Sequence, residues 1–178
     1  EEGASGIYEA IKYAADNGAD IINLSLGLSF GRDQDGNLLE DANYYKGGFD
    51  TFKEEHPDWY EQELEPLMYA SDKGVTIVAA AGNEYNNNDE YSSIPADFSL
   101  EVPGMISVAS LANTESKANY TNYGNVISIA APGGDQSLMY EAGILSTVAG
   151  GDYDYYEGTS MAAPVVAGAA ALILSQNP

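Results

Sequence analysis

The sequence predicts an α/β fold built on a mostly parallel sheet, and three observations carry that prediction. Short apolar runs at residues 21–26, 75–81, 106–109 and 126–130 are too brief for helices and suit buried strands. Segments with helical spacing alternate with these runs, which is the pattern of strands joined by helices rather than by hairpins. No internal repeat and no composition shift divides the 178 residues, a length that one domain with a sizeable core accommodates.

The elements follow in order. Ile7, Ala10, Ile11 and Ala14 fall at i, i+3, i+4 and i+7 and mark one face of a helix, with Ser5 expected as its N-cap and Gly18 just past its end. The run 21–26 is then a buried strand. A second helix is expected over about 63–73, ended by Gly74, and 75–81 is a second buried strand. Two further strands, 106–109 and 126–130, precede a final helix at 160–174, so apolar that it is expected to be buried nearly all round. Between these lie long polar stretches, 28–60, 84–100 and 150–158, expected as loops with turns at Asp35-Gly36 and Gly47-Gly48.

Composition excludes several functions. Acidic residues number 28 against 6 basic ones, a net charge of −22, so nucleic acid and anionic membrane surfaces are repelled rather than bound. Without cysteine there is no disulfide, no thiolate nucleophile and no cysteine zinc site, and a single histidine, His56, excludes multi-histidine metal sites. The longest apolar candidate, 161–174, contains Pro164 and Gly168 and is shorter than a membrane span requires, and no basic leader precedes an apolar run. Asp33-Gln34-Asp35-Gly36-Asn37 has the look of a calcium loop, but the sixth and twelfth places hold Leu38 and Tyr44 instead of Gly and Glu; a hairpin turn is expected there. No metal and no cofactor is expected. A nucleotide-binding domain is rejected because no Gly-x-Gly-x-x-Gly occurs.

Chemistry concentrates in two places. In Gly158-Thr159-Ser160-Met161-Ala162-Ala163-Pro164 a serine opens an apolar helix, where the helix's partial positive charge favours developing negative charge. Taken alone, such a serine is more often a cap than a nucleophile. The strand at 75–81 runs into Gly82-Asn83-Glu84, which puts an amide beyond the carboxyl end of a buried strand, where open α/β sheets hold ligands. That amide can donate to an oxyanion, or simply cap the next turn.

Four blocks, NGADIINLSLG (17–27), GVTIVAAAGNE (74–84), YTNYGNVISIAAPG (120–133) and GTSMAAPVVAGAAALIL (158–174), together and in order resemble the subtilisin-like serine proteases, or subtilases. The resemblance implies a three-layer α/β architecture, with 1–178 as part of a catalytic domain and 28–60 as an insertion. It implies Ser160 as the nucleophile that forms an acyl-enzyme, and Asn83 together with the Ser160 backbone N–H as the oxyanion site. Ser25, Leu26 and Gly27 would pair with an extended polypeptide substrate, and Ala80, Ala81 and Gly82 would wall the pocket for the residue before the cut.

The resemblance also defines expected gaps. In subtilisin the triad runs Asp, His, Ser along the chain, and this sequence has no Asp-Thr-Gly, Asp-Ser-Gly or His-Gly-Thr-His. The Asp and His are therefore expected before Glu1, the N-terminal strands and the C-terminal end are expected to be missing, and the isolated chain is expected to be inactive. His56, in Glu54-Glu55-His56-Pro57-Asp58, is given a structural or surface role. Val165 stands where many members have histidine, a packing position, and Val126 and Ser128 are not the carboxylates a calcium site would use. The stretch between Gly27 and Gly74 is expected to add a wall or lid beside the substrate strand. Asp89, Glu90 and Asp97 would favour basic substrate residues. An extracellular or cell-surface location and self-association through exposed sheet edges are expected. The alternative is a non-catalytic pseudoprotease or peptide-binding surface module.

Overall fold

In the computed structural model, which describes residues 2–33, 37–39 and 46–176, the chain runs α1 (Glu2–Asp16), β1 (Ile21–Leu24), β2 (Leu28–Ser29), α2 (Gly48–Glu55), α3 (Pro57–Asp72), β3 (Thr76–Ala80), β4 (Ser93–Ile94), β5 (Met105–Leu111), β6 (Ile129–Pro132), β7 (Ile144–Val148), β8 (Asp152–Tyr156) and α4 (Thr159–Gln176). Four of these strands form a parallel sheet in the order β1-β3-β5-β6, with Ile22 opposite Ile77, Val78 opposite Ile106 and Val108 opposite Ile129.

Period-two alternation sorts the apolar side chains of this sheet into two cores. Ile22, Leu24, Ile77, Ala79 and Met105 face a core shared with α1, α2 and α3. Val78, Ala80, Val108 and Ala131 face the other, closed by Ala162, Ala163 and Val166 of α4. The result is helix, sheet, helix: the three-layer α/β arrangement, with both faces of the parallel sheet covered as such sheets require.

Several elements differ from expectation for physical reasons. The first helix begins at Glu2, so Ser5 lies inside it and does not cap it, while Gly18 takes φ +81° just beyond its end, as expected. Residues 48–55 and 57–60 are helical rather than loop. Phe49 and Phe52, one turn apart on α2, stack in the core, and Phe49 meets Phe98 edge-on at 5.0 Å between ring centres. The α3 helix starts at Pro57, because proline suits a first helical position and Asp58 sits in the favourable first turn. Pro66 lies within α3 and is buried. His56 links α2 to α3, its ring against Phe52 and Trp59, the structural role expected of it. The Asp35-Gly36 turn falls outside the described residues; Arg32 and Leu38 on its flanks form an antiparallel bridge.

Strand β6 sits later than expected, and 126–128 is tied to Ser107 by both side chain and backbone: Ser107 Oγ donates to the Val126 carbonyl (2.6 Å), Ser107 N–H to Ser128 Oγ (3.1 Å) and Ser128 N–H to the Ser107 carbonyl (3.1 Å). Residues 152–156, expected as loop, pair with β7 in an antiparallel hairpin turned by Gly150 and Gly151, both at positive φ. α4 is buried on one face only. Its outer residues Val165, Leu172 and Ile173 are 45%, 71% and 66% exposed, so the expectation of burial all round does not hold. By length and composition α4 is the one described helix apolar enough to cross a membrane, yet its inner face packs on the sheet and its first turn carries Ser160.

Asp97 shows how tightly the polar interior is closed. It is 1% exposed, and Ser92 Oγ and Ser93 N–H donate to its Oδ2 (both 2.8 Å) while Asn88 Nδ2 donates to its Oδ1 (3.1 Å). Burial outweighs these donors and pushes the carboxyl up to about 7. An unfolded aspartate titrates near 3.9, so the folded chain holds this proton more tightly, and stability declines as pH rises from about 4 through about 7. Asp97→Asn is expected to remove that decline. In thermal melts from about pH 4 to about pH 8, the wild-type advantage over the variant should shrink with rising pH and level off above about 7; parallel profiles would contradict this.

Candidate active site

The sheet delivers two segments to one place. β3 ends at Ala80, and the chain continues through Ala81 into Gly82 and Asn83, beyond the carboxyl end of the strand. α4 begins at Thr159, so Ser160 lies in its first turn, where backbone N–H groups have no acceptor within the helix. Thr159 joins the two. Its N–H and its Oγ1–H both donate to Asn83 Oδ1 (2.8 and 2.9 Å), and Gly82 N–H donates to Thr159 Oγ1 (3.1 Å). An N–H can only donate, so the Asn83 carbonyl must face Thr159. Its Nδ2 is then the outward end and meets no acceptor among the described residues.

Leu26, Gly27, Ser29, Ala80, Gly82, Asn83, Glu84, Ser93, Thr159 and Ser160 surround a mostly polar cavity of about 190 Å³. Ser25 closes its end: Ser160 Oγ donates to the Ser25 carbonyl (3.4 Å) and Ser25 Oγ donates to the Ser160 carbonyl (2.8 Å). Six of the eight residues singled out in the sequence therefore line this cavity and Ser25 abuts it. Ala81 does not line it. It is fully buried beneath, and its carbonyl accepts from Asn88 Nδ2 (3.2 Å) and Asn122 Nδ2 (3.1 Å).

Three residues that sequence reasoning passed over hold this arrangement. Asn122, with no exposed surface, is a clamp: its Oδ1 accepts from Glu84 N–H (3.0 Å) and Asn86 N–H (2.9 Å), and its Nδ2 also donates to Glu84 Oε2 (3.0 Å). Glu84 Oε2 in turn accepts from Asn83 N–H (2.9 Å). Tyr120 ties the approach to α4, accepting from Gly158 N–H (2.8 Å) and donating to the Gly134 carbonyl (2.7 Å). Burial pushes its phenol up to about 12, so it stays a neutral donor. All three lie inside quoted sequence blocks, but a buried amide, carboxylate or phenol in a polar loop has no periodicity to distinguish it from an exposed one.

Gly82 is fixed by its surroundings. It takes φ +109°, and a Cβ there would stand 2.3 Å from Asn122 Nδ2 and 2.7 Å from Glu84 Oε2. Gly27 is similarly confined, since a Cβ would stand 2.7 Å from the Ile94 carbonyl.

A second cavity, about 350 Å³, lies across Leu26 and Gly27 from the first. Ile7, Ile11, Leu24, Leu28, Ile94 and Pro95 supply apolar walls, and Tyr8, Trp59 and Glu63 the remainder. The stretch expected as lid thus contributes Trp59 to a cavity wall and Phe49 and Phe52 to the core. The acids at Asp89 and Asp97 face neither cavity: Asp97 is sealed inside, and Asp89 accepts from the backbone and side chain of Asn125. Among the described residues no group of three or more acids and histidines is placed to hold a metal.

Comparison with known proteins places the chain in a family. The subtilase family model matches residues 2–178. The thermophilic serine proteinase of Bacillus sp. (strain AK1) is 37% identical over 97% of this chain and 32% of its own length. The halolysin-like extracellular serine protease Nep of Natrialba magadii is 36% identical over 98% of this chain and 24% of its own. Among solved structures, a protease of Pseudoalteromonas arctica PAMC 21717 superposes with a TM-score of 0.68 at 32% identity, over 94% of this chain and 45% of that one. The chain thus spans about a third or less of these two curated relatives. With the matched model running from residue 2 to residue 178, on an α/β fold that superposes on proteases, the chain belongs to the subtilase family.

Proposed function

We propose that this chain carries the nucleophile, oxyanion and acyl-side substrate elements of a serine endopeptidase that cuts polypeptides through an acyl-enzyme. The supporting observation is Asn83: its carbonyl is pinned by two donors from Thr159, so its NH₂ is presented beside Ser160. A fixed donor at the place where charge develops stabilises a tetrahedral oxyanion without reorganising. In this reading Ser160 Oγ–H gives its proton to the base as Oγ attacks the scissile carbonyl, and Asn83 Nδ2 and Ser160 N–H receive the oxyanion. The amine then departs with a proton from the base. Ser25, Leu26 and Gly27 pair antiparallel with the substrate. The cut end sits at Ser25, against Ser160, and the acyl side runs towards Leu28. Ala80 and Gly82 wall the first side-chain cavity, over buried Ala81.

The base is the remaining requirement, because a serine hydroxyl needs a histidine and the histidine a carboxylate. The only histidine of these 178 residues sits between α2 and α3, packed against Phe52 and Trp59. We assign the catalytic His and Asp to polypeptide beyond this chain, and the isolated chain to an inactive state. The extracellular relative from Natrialba magadii supports an extracellular or cell-surface location.

Labelling with a fluorophosphonate tests the reading directly. The complete, processed protein should label, its Ser160→Ala variant should not, and the 178-residue chain alone should not. An intact protein that fails to label would make this a non-catalytic, peptide-holding module instead. Gly82→Ala in the complete protein is expected to displace Asn122 and Glu84 and tilt Asn83, lowering kcat by about 10²-fold with the fold retained by circular dichroism; unchanged kcat would remove Asn83 from the mechanism. The isolated chain, with β1 at a sheet edge and Leu172 and Ile173 exposed on α4, is expected to self-associate. A monomer by light scattering at high concentration would refute that.

A further inference from the structure

The larger cavity has one feature that its apolar walls do not explain. Glu63, on α3, lines it together with Leu26 and Gly27 and is only partly exposed. Tyr8 Oη (2.9 Å) and Trp59 Nε1 (3.2 Å) both donate to its Oε1. Its Oε2 accepts no hydrogen bond among the described residues. Burial pushes the carboxyl above its usual range, against the two donors that pull it down. A neighbouring surface that shares Tyr8 with this cavity is acidic as well. Glu9, Glu61 and Glu65 line the neighbouring surface with a single cation, Lys12, and that cation is engaged by Glu65 at 2.6 Å.

We propose that Glu63 makes this cavity select a lysine or arginine side chain on the acyl side of the scissile bond, a specificity that rests on the endopeptidase reading above. An extended substrate paired antiparallel with Ser25, Leu26 and Gly27 carries its acyl-side residues away from Ser160 and past the mouth of this cavity. The methylenes of a long basic side chain lie along Ile7, Ile11, Leu24 and Ile94, and its head reaches Glu63 Oε2 in a charge-assisted hydrogen bond. A leucine fills the same walls but leaves the carboxylate without a partner, and an acidic side chain adds a second negative charge beside it.

The test uses the complete protease and fluorogenic peptides that vary one acyl-side position at a time among Lys, Arg, norleucine and Glu. At one position the basic peptides are expected to exceed norleucine by about tenfold in kcat/KM. Glu63→Gln should bring that ratio close to one, and Glu63→Lys should turn it in favour of Glu. Because each readout is a ratio within one enzyme, partial misfolding of a variant does not mimic the effect. A ratio near one at every position in the wild type, or a basic preference that survives Glu63→Gln, overturns the proposal and leaves the protease reading standing. No turnover of any peptide together with no fluorophosphonate labelling overturns the protease reading itself, and the selectivity with it.

Discussion

The pair of hydrogen bonds from Thr159 to Asn83 is the constraint on which the site depends. An asparagine beyond the end of a strand can turn either end outward, and only a donor set on its carbonyl fixes the NH₂ as the presented group. Those donors lie 76 residues further along, on α4. They reach Asn83 only because Ala162, Ala163 and Val166 dock α4 on Val78, Ala80 and Val108. That docking depends in turn on strand register. A slip of one residue in β3 would send Ile77 and Ala79 to the α4 side and carry Asn83 away with them. Ordinary apolar packing in the sheet thus sets the orientation of a single amide.

A second layer of polar contacts keeps the segment between these anchors from relaxing. Asn122 accepts two backbone N–H groups and donates to the Ala81 carbonyl and the Glu84 carboxylate, and Glu84 closes the circuit on Asn83 N–H. Buried groups so linked are costly to break singly, because each loss strands a partner away from water. Gly82 belongs to the same circuit through the space it leaves free. The network makes the turn after β3 a rigid shelf, which is what the oxyanion role proposed for Asn83 requires.

The parts of this arrangement that were legible in the sequence share a property: their signal is local. Short apolar runs announced the central strands, and a serine opening an apolar helix together with an amide after a buried strand announced the site. What was illegible depends on distant partners. The sequence of α2 looks like loop because Gly47-Gly48 signals a turn, and nothing local says that Phe49 and Phe52 have Phe98 to pack against. The exposure of Leu172 and Ile173 reverses the usual reading of an apolar helix, since composition does not reveal which face meets the sheet. The β7–β8 hairpin is a different kind of miss. Acids alternate with tyrosines at 152–156, a period-two signal that was present and was outweighed by polarity and by the glycines that make the turn.

The charge of the chain shows the same difference between composition and placement. A net −22 attracts cations from a distance, but a field spread over the whole surface chooses no particular side chain, and salt screens it. Selection needs an acid removed from bulk water and short of partners. Asp97 is removed from water but supplied with three donors and sealed from both cavities, and Asp89 is occupied by Asn125, so neither of these two acids has an open oxygen facing either cavity. Glu63 lies 20 positions before Asn83, where the sequence shows only the start of a helix, and it lines a mostly apolar cavity with one oxygen that accepts no hydrogen bond among the described residues. In the selectivity proposed above, a peptide would displace solvent there and lower the dielectric, and a single carboxylate so placed would outweigh the many solvated ones.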